Sequence, residues 1–154
     1  MKKLFPFLIL FLTMISTNAQ VNVDSLGHYT DLYNKLYSGI IEEFYENGEY
    51  KQIISVKDGL KDGISKTFFE TGKVHEVRSY KTGVKDGTWE TYNSSGIKTA
   101  LANYKADQKD GEWMIWDENG ILRYYMLYSN GEKTGKWKKF DAGGLLIDEK
   151  NFGK

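Results

Sequence analysis

The chain has 154 residues, with 21 basic side chains against 21 acidic ones and no cysteine. That length suits one domain or one short array. The even charge offers no pull on nucleic acid or an anionic membrane, and the missing thiols exclude disulfides and a cysteine-linked lipid anchor.

At the start, Lys2 and Lys3 precede an apolar run from Leu4 to Ile15, and Thr17-Asn18-Ala19 sets small residues around a cut after Ala19. These are the parts of a secretory signal peptide over 1–19. The run is short of the roughly 20 apolar residues that a membrane-spanning helix needs. The mature chain would run from Gln20 to Lys154, with 19 basic against 21 acidic residues, and would be periplasmic or secreted.

Residues 20–38 read as an N-terminal cap or linker. Leu26, Tyr29, Leu32, Tyr33 and Leu36 recur at three and four, which predicts an amphipathic helix with Asp24 or Ser25 as its cap. The alternative is a worn half-repeat. Either would cover the first edge of the array behind it.

From Gly39 onward the sequence repeats every 24 residues. One column is Gly39, Gly63, Gly87, Gly111 and Gly135; a second is Gly48, Gly72, Gly96, Gly120 and Gly144. Bulky residues keep the same step: Phe44, Phe68, Tyr92, Trp116, Phe140; Val56, Tyr80, Tyr104, Tyr128, Phe152; and Ile41, Ser65, Trp89, Trp113, Trp137. Five units follow, at 39–62, 63–86, 87–110, 111–134 and 135–154. No further domain is expected after them.

Each unit reads as two short strands. Within a unit, Glu70-Thr71-Gly72 and its equivalents form the turn. Threonine resists positive φ, so a type I turn closed by a left-handed glycine is expected rather than a type I′ turn. Between units, Asp62-Gly63, Asp86-Gly87 and Asp110-Gly111 read as the ends of the linking turns. Strands this short pair with their sequence neighbours. The expected fold is all-β: an elongated antiparallel meander of about ten strands, on the order of 50 Å across at about 4.8 Å per strand. The Trp89 and Tyr92 columns differ by three residues. Either both faces carry a ladder or each first strand has a bulge.

The pattern Asp-Gly-x-Trp-x-x-Tyr, then a turn ending in glycine, then a strand ending in Tyr-x-x-Gly, resembles the MORN-repeat variant family. Its best copies are Asp86 to Gly96 and Asp110 to Gly120. The resemblance implies one hairpin per repeat in an extended sheet, and interaction with protein or lipid rather than catalysis. Bacterial members are often labelled antitoxins of toxin–antitoxin systems, which implies an antitoxin-like or immunity role. The chain is also similar to choline-binding repeats, though it lacks their paired Trp-Tyr-Tyr strands.

The chemistry-bearing residues are sparse. His28 and His75 have no partner at ligand spacing. His75 aligns with Lys51, Thr99, Arg123 and Ile147, a tolerant column. The recurring aspartates are explained by turn chemistry, and no nucleophile elbow or phosphate loop occurs. No enzyme activity, catalytic residue, metal or cofactor is expected. The expected function is a protein-binding or scaffold module, with glycan or small-cation binding on the aromatic ladder as the alternative. The candidate binding surface is Trp89, Tyr92, Trp113, Trp116 and Trp137. An unidentified protein is the expected partner, a glycan is a possible one, and no nucleic acid or membrane association is expected.

Overall fold

The structure is a computed structural model that describes residues 20–153. The expected signal peptide lies outside the described residues.

Ten strands form one antiparallel sheet in sequence order: β3 (Gly39–Phe44), β4 (Tyr50–Lys57), β5 (Leu60–Phe68), β6 (Val74–Lys81), β7 (Val84–Tyr92), β8 (Lys98–Lys105), β9 (Gln108–Trp116), β10 (Leu122–Ser129), β11 (Glu132–Phe140) and β12 (Leu146–Asn151). The expected meander is therefore the observed one. Before it, β1 (Asn22–Val23) and β2 (Tyr29–Thr30) form a small ribbon of their own.

Two turn types alternate. From each odd strand to the next even one, the chain makes the type I turn with a left-handed glycine. Gly48 N–H donates to the Tyr45 carbonyl at 3.0 Å, and Tyr45 N–H to that of Glu49 at 2.8 Å. The same pair of bonds closes 69–73, 93–97, 117–121 and 141–145. Gly72 sits at φ 78°, while Thr71 stays out of the left-handed region, as its branched Cβ requires.

The links between hairpins correct the sequence reading. They are two-residue turns, Asp58-Gly59, Thr82-Gly83, Ala106-Asp107 and Asn130-Gly131, with both residues at positive φ. That is the type I′ form, whose twist matches the strands it joins. Asp62, Asp86 and Asp110 lie inside β5, β7 and β9 instead. There the Asp-Gly pair makes a bulge: Asp62, Gly63 and Ile64 face the single Ser55.

The aspartates still serve turns, but those of the next hairpin. Asp62 Oδ2 accepts the Thr82 N–H at 2.8 Å, Asp86 Oδ2 that of Ala106 at 3.2 Å, and Asp110 Oδ2 that of Asn130 at 3.0 Å. Ser38 Oγ does the same for Asp58 at 2.8 Å. The second turn N–H goes to a backbone carbonyl: Gly83 to Lys61, Asp107 to Lys85, Gly131 to Lys109. Each tight turn is thus bonded to its predecessor, and these donors are not orphaned.

The helix expected within 20–38 does not form. The Asp24 carboxylate accepts the N–H groups of Leu26 and His28, and the Asp31 carboxylate those of Tyr33 and Lys35, at 2.8–3.0 Å. Gly27 and Asn34 close these turns at φ 84° and 60°. Side-chain bonds of this kind compete with helix, and here they win over the three-and-four spacing. The ribbon packs on the first hairpin. Tyr29 N–H donates to the Gly59 carbonyl and Gly59 N–H to that of Tyr37, both at 2.8 Å. Below the ribbon lies the buried core: Ile54 and Val56 are 4% and 5% exposed, with Thr30 and Ser65 beside them. Elsewhere the sheet is one layer thick, with most side chains of β6 to β11 half-buried and β12 exposed throughout.

Candidate functional site

Residues paired directly across strands share a face, so the register assigns each column. Ile54 faces Ser65, Arg78 faces Trp89, Ala102 faces Trp113 and Met126 faces Trp113 from the other side. Trp89, Trp113 and Trp137 therefore stand on one face. Tyr92 lies on the other, since β7 runs without a bulge from Trp89 to Tyr92 against β8 until its last pair. Trp116 is placed likewise. The five candidate residues do not form one surface; both faces carry aromatic columns.

On the tryptophan face the rings make a continuous zigzag. Tyr80, Trp89, Tyr104, Trp113, Tyr128, Trp137 and Phe152 follow one another with centroids 4.9–5.4 Å apart, each pair tilted or edge-on. Such pairs contribute about 0.5–1.5 kcal/mol each beyond their buried area. The indoles are also tied down. Trp89, Trp113 and Trp137 donate Nε1–H to the carbonyls of Ser79, Asn103 and Leu127, each at 2.9 Å. For Ser79 and Asn103 these are carbonyls at the bulge, where the ladder leaves a residue unpaired.

A lysine column covers the rings. Lys85 Nζ lies 4.9 Å from Trp89 and 5.0 Å from Tyr104; Lys109 lies 4.2 Å from Trp113 and 4.8 Å from Tyr128; Lys133 lies 4.6 Å from Trp137 and 5.3 Å from Phe152. Lys61 sits over Tyr80 at 5.2 Å. Its burial pushes its pKa down, as does the neighbouring Arg78. The sequence reading missed this column, although its step of 24 was there to be seen.

On the opposite face Phe44, Tyr50 and Phe68 stack at 4.7 and 5.9 Å. Further along, Glu90 takes hydrogen bonds from Lys98 and Tyr92. The Lys98 bond holds the Glu90 carboxyl below its usual range, and burial followed by the Glu90 contact raises the Tyr92 hydroxyl. This cluster ties neighbouring strands β7 and β8 together.

A concavity lies on the tryptophan face at the far end from the ribbon. It measures about 420 Å³ and is floored by Ile115, Tyr124, Met126, Trp137 and Phe152. Volumes of roughly 300–1,000 Å³ are usual for binding clefts. Ile115 and Tyr124 remain 42% and 40% exposed. Lys139 and Lys150 rim it together with Asp148, while Lys138, paired with Tyr125, projects from the opposite face. Lys139 and Lys150 are in no ion pair among the described residues. Ile115, Tyr124 and Met126 were not singled out from sequence, because their columns hold Thr91, Ala100 and Ala102 one unit earlier. The groove exists only where large residues replace small ones.

The same face at the near end is covered. Ile54, which the register puts on this face, is buried together with Val56, and the Tyr29 hydroxyl is raised by burial first and then by Tyr80 and Glu43. The Ser65 and Thr67 hydroxyls line a polar cavity of about 60 Å³ there. Among the described residues no three His, Asp or Glu side chains gather as a metal site. His28 meets Asp24 at 3.3 Å, and the His75 ring packs on Phe69 at 4.5 Å.

No curated protein matches the chain. A family model described as the MORN repeat variant matches residues 37–58, 61–82 and 109–130, whose starts differ by one and two periods of 24, in the same frame as the hairpins.

Proposed function

We infer that this protein is an exported, non-catalytic interaction module that holds a protein partner in the groove on its tryptophan face. One observation carries the reading: an apolar groove with unpaired lysines lies open on a face whose other end the chain's own ribbon covers. Exposed apolar clefts of this size mark interaction sites. The MORN-variant repeats favour a binding role of the same kind. Lys2, Lys3 and the apolar run Leu4–Ile15 support export, and an immunity or antitoxin-like role would be one use of such a module outside the cytoplasm. Cation trapping on the ladder finds less support, because Lys85, Lys109 and Lys133 already occupy the ring faces.

The test is affinity capture from envelope and culture-supernatant extracts with the native chain and with Ile115→Asp, read by mass spectrometry. Ile115 is exposed, so the variant should fold. A stoichiometric protein held by the native chain and lost by the variant supports the reading. Equal capture by both, or no capture, removes it.

A further inference from the structure

The two ends of the molecule are complementary. The ribbon turns one side to the sheet through Tyr29 and Leu36, whose Cδ2 abuts Gly59. Its other side is apolar and bare: Leu32 and Tyr33, adjacent at the tip of the second turn, are 57% and 88% exposed. The Asp31 carboxylate stands at the base of that tip. At the opposite end of the array lies the open groove with Lys139 and Lys150. Charge follows the same polarity. Residues 20–58 carry seven carboxylates against three lysines, while residues 132–154 carry six lysines against four carboxylates.

Simple edge-to-edge stacking is opposed. If β3 of a second copy continued the sheet past β12 in the register that joins β4 to β5, Asp148 would face Glu43 and Glu149 would face Glu42. Like charges directly opposite destabilise a strand pair. The ribbon tip and the groove face no such barrier.

We propose that a second copy of this chain occupies the groove: the Leu32-Tyr33 tip of one molecule inserts between Ile115, Met126 and Phe152 of the next, with Asp31 against Lys139 and Lys150. The contact rests on the groove being the interaction site argued above. It is heterologous, head to tail, so it leaves a free tip and a free groove at the two ends and propagates into chains or closes into rings.

The experiment is light scattering after size-exclusion chromatography on protein purified from cells expressing the full 154-residue chain. The native protein should gain at least about two-fold in mean mass from low to high micromolar concentration, as a small interface would give, and lose that gain in high salt. A tip variant, Leu32→Ser with Tyr33→Ser, and a groove variant, Ile115→Thr with Lys139→Glu, should each stay monomeric. Ile115 and Lys139 share one column of the repeat, and the substitutions copy residues that column already holds at Thr91 and Glu43, so folding should survive; circular dichroism checks it. Mixed together, the two variants should form a one-to-one pair and stop there, because only one tip and one groove remain. A native protein that stays monomeric, variants that associate like it, or a mixture that does not pair would each overturn the proposal. A native chain that does not self-associate yet captures another protein, which Ile115→Asp loses, would sink this inference and leave the interaction reading standing.

Discussion

Ala106 holds φ at 47° and Asp107 at 67°, in a type I′ turn whose three counterparts end in glycine. A non-glycine residue there costs about 1–2 kcal/mol, and asparagine tolerates the region better than alanine. Ala106→Asn should therefore stabilise the chain by about 1 kcal/mol, seen as a higher denaturation midpoint at unchanged slope. Asp107 should not be replaced with it, because its carboxylate accepts the Lys85 N–H at 2.8 Å. Trp113 is a second residue-scale case. Trp113→Ala removes a ring from the zigzag and strands the Asn103 carbonyl, and should cost about 3 kcal/mol. Reduced partner capture by that variant would then report unfolding, which is why Ile115 is the better probe of binding. Acid sensitivity is also residue-sized. Asp117 is held below the usual carboxylate range by its bond from the Ile121 N–H, and then by that from Asn119 and by Arg123. A lowered folded-state pKa stabilises above the unfolded value and stops doing so as pH falls through the folded one. Asn93 makes the same two turn bonds, to Ser95 and Ile97 at 3.0 Å, without a charge. Asp117→Asn should keep the turn near neutral pH and flatten the decline of melting temperature in acid.

At the scale of the element, the ribbon is the second layer that the first hairpins lack. It puts Ile54 and Val56 out of water, and they are the most buried apolar side chains described. Tyr29→Ala should uncover them. Amide hydrogen exchange should then speed up in β3 and β4 and stay unchanged in β9 to β12, because a repeat array couples mainly nearest neighbours. Uniform acceleration along the sheet would show that the hairpins unfold as one unit. The helix expected here was misread for a physical reason: spacing reports which side chains could share a face, while Asp24 and Asp31 decide locally that the backbone turns instead.

For the whole molecule, the edges matter. Glu42 and Glu43 on β3, and Asp148 and Glu149 on β12, place carboxylates on both free strands, a common guard against open-ended pairing. Asp148→Lys with Glu149→Lys, made together with Leu32→Ser and Tyr33→Ser, should switch assembly from tip-in-groove to edge pairing. Rising scattering with concentration in that quadruple variant, and none in the tip variant alone, is the expected result.

The 24-residue columns by themselves determined the all-β meander, the type I turns with left-handed glycine at Gly48 to Gly144, and the aromatic rows. Each of these is set by local stereochemistry repeated along the chain, so a column in sequence is a column in space. Only the tertiary structure decided that Trp89 and Tyr92 look to opposite faces, that Asp62 caps a turn 20 residues onward, and that 20–38 is a ribbon. It alone placed Ile115, Tyr124 and Met126 around one groove. These depend on bulges, which change the register by whole residues, and on which strands bring non-repeating side chains together across the sheet.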